Sequence, residues 1–257
     1  LVEQRNISMQ GETHLITGGL GGIGLALAHR LASLNCTEII LVSRRGVTNS
    51  YQRQQISEIE AMNCKVEVLK SDVANLTSSL VSPNCIWHTA AQYKDVTFDK
   101  ITTENWEYVT KPKVGGYLTL RECWPTVKII VTSSVFAYFG GDTINGQTSY
   151  AWSNAFLDQA ARKDANTLSV RLGPIDDVGY ITGADLNRKL LERGNFVTMK
   201  IDIVLEKLLR ISREHQNGVF GIYSFKKRTI LNDIADQARS SSGAKLNYSL
   251  EDAQRLM

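Results

Sequence analysis

A chain of 257 residues with a net charge of +3, 43% hydrophobic and 21% charged, can bury one large core but carries too small a basic surplus for a nucleic-acid footprint. Its 19 glycines against 4 prolines exclude collagen-like or disordered classes, and Cys36, Cys64, Cys85 and Cys123 form no Cys-x-x-Cys pair, which excludes a zinc ribbon or dense disulfide framework. No apolar run reaches the roughly 18–20 residues that span a bilayer, and the opening LVEQRNISMQGE is too polar for a signal peptide. The expectation is a cytoplasmic chain with reduced thiols, no metal, no membrane and no nucleic-acid partner. Leu1 in place of Met reads as the edge of a piece of a longer polypeptide or of a processed chain.

Short apolar runs at 13–17, 38–43, 65–70, 85–90, 127–133 and 167–172, with a seventh at 218–223, read as strands. Segments 22–35, 50–63, 103–123 and 148–163 carry helical spacing between them. That alternation predicts an α/β fold: a doubly wound parallel sheet of about seven strands, with helices on both faces. Only SDVANLTSSLVSPN lies between the third and fourth strands, so that crossover is short or irregular. Residues 174–198 mix Gly, Asp, Asn and Pro and read either as a lid over the strand ends or as a surface loop. Residues 1–11 read as a leading linker, 12–235 as the domain and 236–257 as a trailing linker or extension.

Directly after the first strand stand Thr17, Gly18, Gly19, Leu20, Gly21, Gly22, Ile23 and Gly24, opening into a helix. Glycine permits the tight turn and the close backbone approach to a pyrophosphate, and the helix N-terminus offers free N–H groups, so this strand-turn-helix predicts dinucleotide binding. Where an acidic residue would bond the ribose of NAD, the second strand ends in Ser43, Arg44 and Arg45, donors suited to a 2′-phosphate. NADPH/NADP+ is the favoured cofactor. Asp72 could bond the adenine amino group or cap the short crossover.

Ser133 and Ser134 follow the fifth strand, and Tyr150 and Asn154 share one face of a predicted helix. With TGGLGGIG, LVSRRG, HTAA, TKPKVGGYLTL, VTSSV, GQTSYAWSNAFLDQAA and LGPIDDVG in this order, the chain resembles the short-chain dehydrogenases/reductases. Within them it is most similar to the ketoreductase domains of polyketide and fatty acid synthases. The resemblance spans roughly residues 12–235 and implies a Rossmann-like fold. Most of the superfamily carries Tyr-x-x-x-Lys; synthase ketoreductases instead carry Tyr-x-x-x-Asn, here Tyr150 and Asn154, with the lysine in a Lys-Val-x-Gly motif, here Lys113.

The resemblance implies that Tyr150 donates a proton to the reduced carbonyl, Ser134 bonds the same oxygen, Lys113 favours the phenolate, and Asn154 orders a relay water or the lysine. It extends the cofactor contacts to Val73, His88, Ala90, Ala91, Lys113, Tyr150, Gly173, Pro174 and Ile175. Ser134 and Tyr150 are sixteen apart, about three more than is usual, so YFGGDTIN carries an insertion near the substrate mouth; Ser134 is preferred over Ser133 because Gly140 then falls on a family glycine. One stereochemical class carries Leu-Asp-Asp where this chain has Tyr93-Lys94-Asp95; the other is marked by a tryptophan near the position of Phe139. Asp95, Phe139 and Trp152 are therefore candidates for the substrate side, with packing the stronger reading for Trp152. His88 reads as a packed residue lining the cofactor cleft without titrating.

The implied substrate is a ketoacyl thioester on an acyl or peptidyl carrier protein, β-keto by preference and α-keto by analogy with domains embedded in nonribosomal peptide synthetases. Residues 185–230 hold ten Lys or Arg against five Asp or Glu, a candidate dock for an acidic carrier. The other partners implied are further domains of the same synthase. Two readings stand beside this one: a catalytically silent docking module, and a free-standing dehydrogenase, which lacks support from Tyr-x-x-x-Lys.

Overall fold

The computed structural model describes residues 8–78, 82–139, 146–178 and 196–225. In chain order the elements are β1 (Thr13–Thr17), α1 (Gly22–Ala32), β2 (Glu38–Ser43), α2 (Ser50–Glu60), β3 (Lys65–Lys70) and β4 (Cys85–His88). Then follow α3 (Thr103–Thr110), a π-turn (Lys111–Gly115), α4 (Gly116–Cys123), β5 (Lys128–Ser134), α5 (Phe136–Phe139) and α6 (Thr148–Lys163). The chain continues through β6 (Thr167–Leu172), β7 (Phe196–Val197), α7 (Ile201–Glu214), β8 (Gly218–Ile222) and β9 (Ser224–Phe225).

Seven strands form one sheet in the order β3-β2-β1-β4-β5-β6-β8, every pair parallel, so the chain reverses direction between β1 and β4 and opens a crevice there. The strands are apolar along both faces because both are covered. Ile16, Leu41, Trp87 and Ile130 face a core shared with α1 and α7, whereas Leu15, Val42, Ile86 and Val131 face one shared with α4 and α6. The expected strand 85–90 stops at His88, and the one at 127–133 runs on to Ser134.

The short crossover contains a single-turn 3₁₀ helix, Val73–Asn75, whose N-terminus Asp72 caps by accepting from Ala74 N at 3.1 Å. The expected helix 103–123 is one path with a widened turn in the middle. Pro112 lacks an N–H, and its ring crowds the carbonyl four residues back, so the chain passes it as a π-turn. α7 was not expected: Ile201, Val204, Leu205, Leu208 and Leu209 form its buried stripe.

Residues 8–11 belong to the packed unit rather than to a linker: Met9 is buried and its N–H donates to Leu34 O at 2.7 Å. Of the candidate lid at 174–198, the flanks are clipped together by Met199 N donating to Pro174 O at 3.0 Å; residues 179–195, like the extension at 236–257, lie outside the described residues. Among the described residues no helix is long and apolar enough to cross a membrane.

Candidate active site

A cleft of about 380 Å³ opens at the carboxyl ends of the central strands. One wall is the turn from β1 into α1. Gly18 holds φ at +67°, and a Cβ there would sit 2.9 Å from Ala90 Cα; a Cβ on Gly24 would sit 2.5 Å from Gly18 O. Gly21 at the α1 N-cap provides no side-chain cap, so the N–H groups of the first helical turn stay available to an anion. Ser43, Arg44 and Arg45 line the same wall, and among the described residues neither guanidinium forms an ion pair. A backbone cradle that only glycine fits, an uncapped helix start and two available cations together suit a phosphorylated dinucleotide. Asp72 lines the cleft, but its carboxylate is occupied as the 3₁₀ cap and faces Lys111 Nζ at 3.9 Å.

The opposite wall carries the reactive side chains. Lys113 is 2% exposed; the π-turn aims its Nζ at Thr132 O, 2.8 Å away, and over the Tyr150 ring, 5.6 Å from the centroid. Burial lowers its pKa to about 7, against an opposing pull from the Asp158 carboxylate. Burial also pushes the Tyr150 phenol above its ordinary value, with hydrogen bonds from Tyr93, Ser134 and Asn154 pulling it back. Ser134 Oγ accepts from Phe136 N at 3.3 Å beside that phenol, whereas Ser133 donates to Asn154 O at 3.3 Å.

Asn154, fully buried, donates to Tyr150 O at 2.8 Å, and its Oδ1 has no hydrogen-bond partner among the described residues. An orphaned buried acceptor beside a phenol is a natural seat for a water. Gly173, Pro174 and Ile175 also line the cleft, as do Val73, Ala90 and Ala91.

His88 does not line the cleft; it lies fully buried behind it and ties the two walls together. Its Nε2 is 2.9 Å from Lys113 O and must donate, since a carbonyl can only accept. Nδ1 therefore accepts from Thr17 Oγ1 at 2.7 Å, and Thr17 Oγ1 in turn accepts from Ala90 N at 3.4 Å. Burial lowers the imidazole pKa to about 4, so the ring is neutral. Gly116 makes this possible, because a Cβ there would lie 2.9 Å from the imidazole.

Of the three substrate-side candidates, two have described side chains, and neither lines the cleft. Trp152 points away from the cleft, its ring tilted against Trp106 at 5.0 Å and Phe156 at 5.9 Å, because two residues along α6 turn it to another face from Tyr150. Asp95 also stands outside the lining; it accepts from Gln147 Nε2 at 3.1 Å, and the buried Gln147, whose Oε1 has no partner among the described residues, is what faces the cleft. Phe139 ends α5, and its side chain lies outside the described residues. Gln147 escaped the sequence reading and Tyr93 was given no site role there, although Gln147 precedes Tyr150 by three, one helical turn along the same face. The described part of the proposed basic dock is nearly balanced: Lys200, Lys207, Arg210 and Arg213 against Asp202, Glu206 and Glu214.

A family model described as "KR domain" matches residues 12–177. Highly reducing polyketide synthase ZEA2 of Gibberella zeae is 30% identical over 70% of this chain, and Dhc3 of Alternaria cinerariae is 29% identical over 69%, the match being 8% of each synthase. The phthioceranic/hydroxyphthioceranic acid synthase of Mycobacterium bovis is 28% identical over 98% of this chain and 13% of its own length. Among solved structures, the first ketoreductase of the tylosin PKS aligns at TM-score 0.76 with 27% identity, covering 98% of this chain and 56% of that one. An A1-type ketoreductase at TM-score 0.78 and 23% identity shares the fold, with 54% of its length covered. The chain thus spans a small part of the synthases it matches and about half of those ketoreductase chains.

Proposed function

The chain belongs to the KR domain family of the short-chain dehydrogenase/reductase superfamily, and on that premise we propose that it reduces a ketoacyl thioester carried on a phosphopantetheinyl carrier protein within a larger synthase. The fold and family imply a nicotinamide cofactor. NADPH is the form we favour, held by the Gly18–Gly24 turn with Arg44 and Arg45 at the 2′-phosphate. When bound, the reduced cofactor supplies hydride to the carbonyl carbon.

The observation that carries this reading is the convergence of Tyr150, Ser134 and Lys113 at one cleft wall, from α6, β5 and the π-turn, with Asn154 buried behind Tyr150 on α6. Charge developing on the ketone oxygen needs a proton and a fixed donor. Tyr150 gives the proton, and the Ser134 hydroxyl bonds the same oxygen. Lys113, when protonated, favours the phenolate left behind, and a water on Asn154 Oδ1 would return the proton. With the catalytic tyrosine, the lysine and the glycine turn all in place, a silent docking module is the weaker reading.

The test is NADPH oxidation with β-keto and α-ketoacyl pantetheine thioesters, β-keto being the expected substrate, for the wild type beside Tyr150→Phe. The expected loss in kcat for Tyr150→Phe is about 10²–10⁴-fold, with cofactor affinity unchanged. Oxidation at the wild-type rate in Tyr150→Phe would overturn the mechanism, and no turnover of either thioester would favour the docking module.

A further inference from the structure

Tyr93 stands where the resembling Leu-Asp-Asp domains carry leucine, and its hydroxyl lies 3.4 Å from that of Tyr150, the two rings 4.8 Å apart at 43°. Both residues line the cleft. The segment that carries Tyr93 is braced against the start of α6: Val96 N donates to Gly146 O at 2.8 Å, and Gln147 Nε2 donates to Asp95. Gly146 accepts this close approach at φ +97°, with a Cβ only 3.2 Å from Val96 N. The pairing of the two phenols is therefore built from both sides, by α6 and by a loop pinned to it.

We propose that the Tyr93 hydroxyl is a positioning group for the reaction, donating to Tyr150 Oη and holding that oxygen while its proton passes to a ketone oxygen in the cleft. This rests on the reading of Tyr150 as proton donor. Within the pair either phenol can donate. With a ketone bound, the Tyr150 O–H is committed to it, and Tyr150 Oη is left to accept. As transfer proceeds, the Tyr150 O–H bond breaks, a bond from that hydrogen to the ketone oxygen forms, and the electron pair stays on Tyr150 Oη as phenolate charge. Tyr93 keeps its own proton throughout and donates to an oxygen that becomes anionic, where a hydrogen bond strengthens most. Leucine at this position could pack on the ring but could not donate.

The other groups facing Tyr150 are Lys113 from the π-turn, Ser134 from β5 and Asn154 from its own helix; of the nearby carboxylates, Asp95 accepts from Gln147, and Asp158 from Ser169 and Arg171. The hydrogen bonds that pull on the Tyr150 phenol come from hydroxyls and an amide, while Lys113 Nζ donates to Thr132 O and lies over the ring. Removing the Tyr93 donor leaves burial less opposed, and the phenol moves further up.

Tyr93→Phe keeps the ring and deletes the hydroxyl. Its kcat should fall about three- to thirtyfold, with KM for the thioester within about twofold. The alkaline limb of the rate profile should move to higher pH. Independently of turnover, phenolate absorbance titrations of the full chain, each with its Tyr150→Phe counterpart subtracted, should show Tyr150 ionising at higher pH in Tyr93→Phe than in the wild type. Tyr93→Leu, the residue similar domains carry there, should reproduce both shifts and serves as the test if Tyr93→Phe does not fold. An unmoved Tyr150 titration overturns the proposal whatever happens to kcat. A wild type that turns over no thioester overturns the functional reading instead, and the titration still decides the role of Tyr93.

Discussion

The two walls of the cleft are made by different means. The β1–α1 wall is a matter of backbone: its shape follows from three glycines with no room for a Cβ and a helix start with nothing capping it. The Tyr150 wall is a matter of side chains, delivered from β5, α6, the π-turn and the loop after β4, and fixed to one another by hydrogen bonds of 2.8–3.4 Å. A backbone wall tolerates no bulk and barely depends on protonation, whereas a side-chain wall is tuned by each hydroxyl, ammonium and amide in it.

His88 couples the walls, and acid should break them together. Its ordinary pKa of 6.5 falls to about 4 in the fold, so on lowering the pH the unfolded chain binds the proton first. The stability it lends is fully present above about 6.5 and is lost as the pH falls from there towards 4. At 1.36 kcal/mol per pH unit this amounts to about 3 kcal/mol, read from denaturant midpoints across that range. His14, likewise lowered to about 4 by burial, titrates over the same range, so His88→Asn should remove only part of the dependence; an equally steep profile in that variant would assign the acid sensitivity elsewhere.

The double change Arg44→Ala, Arg45→Ala touches only the first wall. It should weaken NADPH binding about ten- to a hundredfold, leaving NADH binding within about twofold, as isothermal titration can establish. Equal losses for both cofactors would mean that the arginines act on something other than a 2′-phosphate. The smallest effect belongs to Trp152→Ala. Because that ring is tilted against Trp106 and Phe156 outside the cleft, kcat/KM should change by no more than about twofold while Tm falls measurably, by thermal melts and initial rates.

The same contrast explains what could be read in advance. Buried parallel strands are nearly continuous apolar runs, so EIILVS and TLSVRL announce themselves, and the glycine turn needs only its own eight residues in sequence. The side-chain wall needs contacts across distant stretches: Tyr93 meets Tyr150 across 57 positions, and Thr17 meets His88 across 71. No local pattern reports such pairs. Where resemblance supplied them, as for Tyr150 and Lys113, the structure brings the residues together; where it offered Asp95, Gln147 stands in front, and Trp152, for which packing was the stronger reading, is turned away by α6. α7 had a legible stripe in Ile201, Val204, Leu205, Leu208 and Leu209, passed over because that stretch was read for its charge and not for its hydrophobic period.

The π-turn at Lys111–Gly115 has one more consequence. An extra residue in a single helical turn puts the halves on either side out of phase, so α3 and α4 are keyed independently: Trp106 of α3 to the aromatic ring of Trp152, and Tyr117 of α4 to Asp164 and Thr167. Lys113 sits at the joint between two separately fastened rods, with its carbonyl held by His88 and its ammonium by Thr132. Its position is thereby insulated from small slips of either rod, a mechanical isolation that a continuous helix of the same length could not provide.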